Sequence, residues 1–595
     1  PENLDKIKQI EGVSSVERSQ KVQPMMNHAR KEIGVEEAID YLKSINAPFG
    51  KNFDGRGMVI SNIDTGTDYR HKAMRIDDDA KDSMRFKKED LKGTDKNFWL
   101  SDKIPHAFNY YNGGKITVEK ADDGRDYFDP HGMHIAGILA GNDTEKDIKN
   151  FNGIDGIAPN AQIFSYKMYS DAGSGFAGDE TMFHAIEDSI KHNVDVVSVS
   201  SGFTGTGLVG EKYWQAIRAL RKAGIPMVVA TGNYATSASS SSWDLVANNN
   251  LKMTDTGNVT RTAAHEDAIA VASAKNQIVE FDKVNIGGES FKYRNIGAFF
   301  DKNKIITNED GSKAPSKLKF VYIGKGQDQD LIGLDLKGKI AVMDRIYTKD
   351  LKDAFKRATD KGARAIMVVN TVNYYNRDNW TELPAMGYEA DEGTKSQVFS
   401  ISGDDGVKLW NMINPDKKTK VKRNNKEDFK DKLEQYYPID MASYNSNKPN
   451  VGDEKEIDFK FAPDTDKELY KEDIIVPAGS TSWGPRTDLL LKPDVSAPGK
   501  NIKSTLNVIN GKSTYGYMSG TSMATPIVAA STVLIRPKLK EMLERPVLKN
   551  LKGDDKIDLT SLTKIALQNT ARPMMDATSW KEKSQYFASP RQQGA

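Results

Sequence analysis

Three short runs constrain the fold of this chain more than anything else in it. GMVISNIDTGTD (57–68), DVVSVSSG (195–202) and IPMVVATGN (225–233) are apolar and β-branched, and each then breaks at small or polar residues. Uninterrupted runs of this kind suit strands buried on both faces, because a half-exposed strand would alternate. ETMFHAIEDSIKH (180–192) and YWQAIRALRKAG (213–224) lie between them with apolar residues at helical spacing. Strands alternating with helices predict an α/β fold, a parallel sheet with helices on both faces. Ligands in such folds bind where the strands end, and Asp64 and Asn233 stand at two of those ends.

At 595 residues the chain is too long for one ordinary core, so two or three domains are expected. Its 84 basic and 83 acidic side chains nearly cancel, which argues against nucleic acid or a membrane surface as partner. Cysteine is absent, so disulfides and thiolate metal sites are excluded; this fits the cytosol or the surface of an organism that does not rely on disulfides. No apolar run reaches the roughly 18 residues that would span a bilayer. The opening PENLDKIKQ lacks the basic and apolar regions of a signal peptide, so the protein is expected to be cytosolic or to begin after processing. The closing SPRQQGA is expected to be a cut end.

GTSMATP (520–526) has two readings. Ser and Thr cap helices and Pro is common in a first turn, so a helix start accounts for it. A nucleophile accounts for it only if a base, an orienting acid and an oxyanion donor lie elsewhere. DPHGMHIAGILAGN (129–142) supplies the base, with His131 at the exposed start of an inward-packed helix and His134 as a buried structural residue. The two histidines do not have the i, i+4 zinc spacing and no third ligand stands out.

Taken together, DTGTD at 64, HGMHIAG at 131, ATGN at 230 and GTSMATP at 520 resemble the subtilase family of serine proteases, in the family's order. The resemblance implies Ser522 as nucleophile, His131 as general base and then acid, and Asp64 as the group orienting the imidazole. It implies Asn233, with the backbone N–H of Ser522, as oxyanion donor, and Ser200, Ser201 and Gly202 as a strand that pairs with substrate. STSWGP (480–485), KPDVSAPG (492–499) and GIAPNAQI (156–163) extend the match. Met133 replaces the Thr usual in the histidine motif, and Thr67 replaces an aliphatic residue after the aspartate. An adhesin that kept the fold and lost catalysis is disfavoured by the intact set of four.

NLDKIKQIEGVSSVERSQKVQPM resembles the end of an inhibitory prosegment. The 288 residues between Asn233 and Ser522 are too many for loop. Within them DLKGKIAVMDR (335–345), DLKDAFKRATDKGA (350–363) and RAIMVVN (364–370) read as strand, helix, strand, and resemble a protease-associated (PA) domain. The expected division is prosegment over 1–30, catalytic domain over 31–295 and 431–595, and PA insertion over 296–430. That insertion, the missing cysteine and the ending resemble the cell-envelope proteinases of streptococci and lactococci. This implies a secreted protein, attached to the cell wall through regions absent here, with further C-terminal domains. The wording HGMHIAGILAGND is most like members that cleave CXC chemokines, with broad nutritional proteolysis as the alternative. The resemblance implies no cofactor for the chemistry and allows structural calcium, although no Asp-rich loop marks a calcium site.

Overall fold

A computed structural model describes residues 25–45, 53–91, 93–118, 129–149, 153–171, 179–202, 210–234, 259–296, 300–308, 310–345, 348–371, 394–417, 448–463, 466–471, 475–551, 556–575 and 587–594. The prosegment reading of residues 1–24 lies outside the described residues. Residues 25–30 open the helix Met25–Glu32, whose Ala29 is fully buried in the main core.

The first strands are β1 (Val59–Asp64), β2 (His106–Asn109), β3 (Gln162–Lys167), β4 (Val196–Val199), β5 (Met227–Ala230) and β6 (Ala268–Lys275). With Val495–Lys500 they form an all-parallel sheet in which β1 lies between β3 and β4, and β5 and β6 follow outward from β4. Successive side chains of a strand point to opposite faces. Ile60, Val196 and Val228 therefore enter one core, with Met133, Ile135 and Ile138 of the helix His131–Ala140 and Met523, Ile527 and Val533 of the helix Thr521–Leu543. Val59, Val197 and Val229 enter the other, against Met182 and Ile186 of the helix Asp179–Lys191 and Tyr213 and Ile217 of the helix Glu211–Lys222. Both faces are covered, which is why the strands read as continuous apolar runs.

From β6 the chain passes almost at once into a second sheet. Its strands are β7 (Ile278–Ile286), β8 (Glu289–Asn295), β9 (Lys317–Tyr322), β10 (Ile340–Asp344), β11 (Ala365–Val369), β12 (Gln397–Ile401), β13 (Glu454–Phe461) and β14 (Glu468–Lys471). β9 to β12 are parallel and carry the helices Thr348–Asp360 and Gly403–Ile413 on opposite faces. β7, β8 and β13 flank them antiparallel, and a β13–β7 pairing closes the sheet on itself. The strand, helix, strand unit expected over 335–370 is present as β10, Thr348–Asp360 and β11. The second sheet also takes strands from either side of 296–430.

The chain then returns as β15 (Val495–Lys500) beside β6, and as the hairpin β16 (Ile502–Ile509) and β17 (Lys512–Met518). Asn510 and Gly511 turn the hairpin at φ 50° and 73°, the positive values that a two-residue Asn-Gly turn uses. Insertion between two neighbouring edge strands leaves the rest of the sheet, β5 to β2, undisturbed.

Candidate active site

The adjacent strands β5, β4 and β1 deliver three residues to one end of the sheet. Asp64 is the last residue of β1, Ser200 follows β4, and Asn233 lies just beyond β5. β1 stops there because Gly66 adopts φ 106°, a value open mainly to glycine. The helix beginning at His131 lies so close to this turn that a Cβ on Gly132 would stand 2.4 Å from the Gly66 carbonyl oxygen. Thr65 ties the two segments together: its hydroxyl donates to the Asp129 carbonyl at 2.9 Å and accepts from the Gly132 N–H at 2.8 Å.

Asp64 is 1% exposed, and its Oδ1 accepts from the Thr65 N–H at 2.8 Å. The same oxygen lies 2.7 Å from Nδ1 of His131. A carboxylate accepts, so Nδ1 carries the proton and Nε2 of neutral His131 keeps its lone pair. Oδ2 of Asp64 is buried without a partner. The Asp129 carboxylate accepts from the His131 backbone N–H at 2.8 Å. Burial opposes the charged imidazolium, yet the charge and hydrogen bond of Asp64, and then Asp129, outweigh it and raise the His131 pKa to about 9. This pairing stabilises the fold fully below the ordinary value near 6.5, and the contribution is lost as pH rises through about 9.

Ser522 is the second residue of its helix. Its carbonyl would ordinarily accept from the N–H four residues on, but that residue is Pro526 and has none. The Ser200 hydroxyl takes the vacant place, donating to the Ser522 carbonyl at 2.9 Å. In return the Ser522 hydroxyl donates to the Ser200 carbonyl at 2.9 Å. The hydroxyl therefore engages the Ser200 carbonyl rather than His131. Catalytic hydrogen bonds are often absent without substrate.

Asn233 is held by the residue preceding the serine. Its Oδ1 accepts from the Thr521 N–H at 2.9 Å and from the Thr521 hydroxyl at 3.3 Å, which leaves the amide nitrogen as the outward donor. The Thr521 hydroxyl also accepts from the Gly232 N–H at 3.2 Å. A Cβ on Gly520 would come within 3.1 Å of Asn233 Nδ2, so glycine keeps this approach open. Thr521 sits inside the GTSMATP motif, but nothing in the spacing shows that it, more than its neighbours, orients the asparagine.

The remaining expected residues are placed as follows. Ser201 Oγ accepts from the Tyr169 hydroxyl at 2.5 Å. A Cβ on Gly202 would lie 2.6 Å from Thr260 Oγ1, so that strand end admits only glycine. Thr67, in place of an aliphatic residue, is buried and accepts from the Ser165 hydroxyl at 3.0 Å. Met133 is buried in the core. His134 is buried, as read from the sequence, with Nε2 at 3.1 Å from the Ile502 carbonyl and 3.3 Å from that of Gly516. Burial, with His131 nearby, lowers its pKa to about 3.

A fold of this class, with its reactive groups collected where parallel strands end, places the chain among the subtilisin-like serine endopeptidases. The model of the subtilase family matches residues 55–595, and the chain belongs to that family. A PII-type proteinase of Lactococcus lactis subsp. cremoris is 30% identical over 613 residues, which cover 100% of this chain and 28% of the relative. The C5a peptidase of Streptococcus pyogenes serotype M3 is 25% identical over 568 residues, covering 93% of this chain and 40% of the relative. The chain thus spans less than half the length of these relatives. Among solved structures, Sphericase matches with a TM-score of 0.33 at 14% identity, over 87% of this chain and 84% of its own.

Proposed function

We propose that the chain is the protease unit of a secreted, cell-wall-attached endopeptidase that cleaves CXC chemokines near their C-terminal end. Ser522 attacks the scissile carbonyl, His131 takes its proton and returns it to the leaving amine, and Asp64 fixes the imidazole tautomer and offsets its charge. The amide of Asn233 and the N–H of Ser522 receive the oxyanion. The observation that carries the serine-protease part of this reading is the 2.7 Å contact between Asp64 and His131, with Ser522 at a helix start. The chemistry needs no cofactor, since hydroxyl, imidazole and amide supply nucleophile, base and oxyanion donor.

The pH profile follows from the pairing with Asp64. General-base catalysis needs neutral His131, whose population grows as pH rises through about 9. The kcat/KM of the free enzyme is therefore expected to climb above pH 7, with its inflection above the ordinary imidazole value. In Asp64→Asn the nearest counter-charge is gone and burial is opposed only by Asp129, so the inflection should move to lower pH while the rate collapses. An inflection unmoved by Asp64→Asn would remove His131 from the base role.

We assign the second sheet as the PA insertion and give it the task of positioning a protein substrate. It leaves the first sheet at the carboxyl end of β6, the end that carries Asp64, Ser200 and Asn233. Arg294 of β8 reaches back, donating to Asn501 Oδ1 at 2.6 Å, and the Asn501 N–H donates to Ser519 at 2.8 Å, three residues before the nucleophile. The restricted-substrate reading draws support from the C5a peptidase relative, whose name gives a single target. The relative at 30% identity, called simply a proteinase, favours broad proteolysis as the second reading. Incubation with a chemokine and with casein, followed by mass spectrometry, separates them: one cut in the chemokine with casein largely intact supports the first, and extensive casein digestion the second.

A further inference from the structure

Asp95, His106 and His192 meet at the edge of the first sheet, far apart in sequence and outside the Ser522 site. Asp95 comes from the 3₁₀ turn Gly93–Phe98, His106 opens the edge strand β2, and His192 follows the helix Asp179–Lys191. One ligand atom of each lies within 4.8 Å of the others. Asp95 Oδ2 and His192 Nε2 stand 3.6 Å apart, too far for a hydrogen bond. Two tetrahedral ligands at about 2.0–2.1 Å from one zinc ion would be separated by only slightly less, roughly 3.3 Å.

The protonation pattern is that of metal ligands. His192 Nδ1 is 2.8 Å from the Asp188 carbonyl, which can only accept, so the proton sits on Nδ1 and Nε2 offers a lone pair. A backbone carbonyl on the far nitrogen is how metal-bound histidines are commonly oriented. His192 Nε2 and His106 Nδ1 are both buried without a hydrogen-bond partner. The His106 residue is 2% exposed and the His192 side chain 7%. Lys191 faces the other carboxylate oxygen, Oδ1, at 3.4 Å, leaving Oδ2 toward His192. Phe98 and Phe164 wall the cluster.

We propose that Asp95, His106 and His192 form a structural site for zinc or a similar first-row divalent cation, with water completing the coordination. Two imidazole nitrogens and one carboxylate oxygen suit such an ion, whereas calcium takes oxygen ligands alone. The site is remote from the proposed chemistry. His106 is in register with Phe164 of β3 and Ser61 of β1, three residues before Asp64 and two strands away. That places it about 10 Å back along the strands. The ion would join a turn, an edge strand and a helix end that already meet through the Phe98–His106 and Phe98–Phe108 ring contacts and the Lys191–Asp95 ion pair.

The test uses the full chain stripped with a chelator and then supplied with zinc, calcium or cobalt(II). Zinc should bind at one ion per chain by elemental analysis and raise Tm, calcium should do neither, and cobalt(II) should give the visible absorption of a four-coordinate site. Asp95→Asn should weaken zinc by at least about tenfold, and His192→Gln should abolish the cobalt spectrum. His131→Ala should retain the ion, which separates this cluster from capture by the Asp64–His131 pair. A wild-type chain that takes up no zinc, or an Asp95→Asn chain that binds it as tightly as wild type, overturns the proposal. If His192→Gln does not fold, Asp95→Asn decides the matter, because its side chain is 23% exposed and its loss leaves no cavity.

Discussion

Ser522→Ala and His131→Ala are each expected to lower kcat by roughly 10⁶, and the double variant to be scarcely slower than either. The size is taken from subtilisin, the reference case for this chemistry; the non-additivity follows from the mechanism. A serine hydroxyl is inert at neutral pH without a base, and an imidazole with no nucleophile to deprotonate does nothing. Removing either member therefore removes the function of both. Folding has to be checked separately, since His131→Ala leaves the 1%-exposed Asp64 without its strongest partner. Ser522→Ala removes only a half-buried hydroxyl and its bond to the Ser200 carbonyl, so its Tm should stay close to wild type. A fluorophosphonate probe should label the wild type and not Ser522→Ala. Losses that add in the double variant would mean that the two residues act independently, and the assigned roles would fail.

The strands that hold the site were legible because both of their faces are covered. VISNID and MVVA have no solvent side, so they read as unbroken runs, and Asp64 and Asn233 followed from where those runs end. The edges of the second sheet were harder for the opposite reason. EKEIDFKF of β13 buries only Ile457, Phe459 and Phe461, and three alternate apolar residues among charges look like a solvated segment until a partner strand is known. The same holds for β7 and β8, which extend the second sheet ahead of residue 296.

Side-chain partnerships were legible only where a motif carried them. Local pattern cannot show that Pro526 frees a carbonyl for Ser200, because the two are joined only when β4 and the long helix come together. Asp95, His106 and His192 share no spacing rule, as sheet order and a helix end bring them together. His131 and His134 attract a metal reading by proximity in sequence, yet one faces Asp64 and the other two backbone carbonyls.

Asn233→Ala is expected to lower kcat by roughly 10²–10³, or about 2.7–4 kcal/mol of transition-state stabilisation, and to leave KM nearly unchanged. The magnitude is again that of subtilisin; the reason it should apply lies in how the amide is held. Both hydrogen bonds at Oδ1 come from Thr521, so the nitrogen points away from its anchor and is already oriented before charge develops on the substrate oxygen. A donor fixed in advance costs no reorganisation in the transition state, and it gains little from a neutral ground-state carbonyl. Two further variants test the anchor. Asn233→Asp keeps the contact with Thr521 but turns a charged acceptor toward the oxyanion, so it should be slower than Asn233→Ala. Thr521→Val retains the backbone N–H bond and loses the hydroxyl, so its kcat should fall between wild type and Asn233→Ala, while Thr521→Ser should recover most of the rate. An Asn233→Ala enzyme with raised KM and intact kcat would place the amide in substrate binding, and a Thr521→Val enzyme indistinguishable from wild type would leave the backbone N–H as a sufficient anchor.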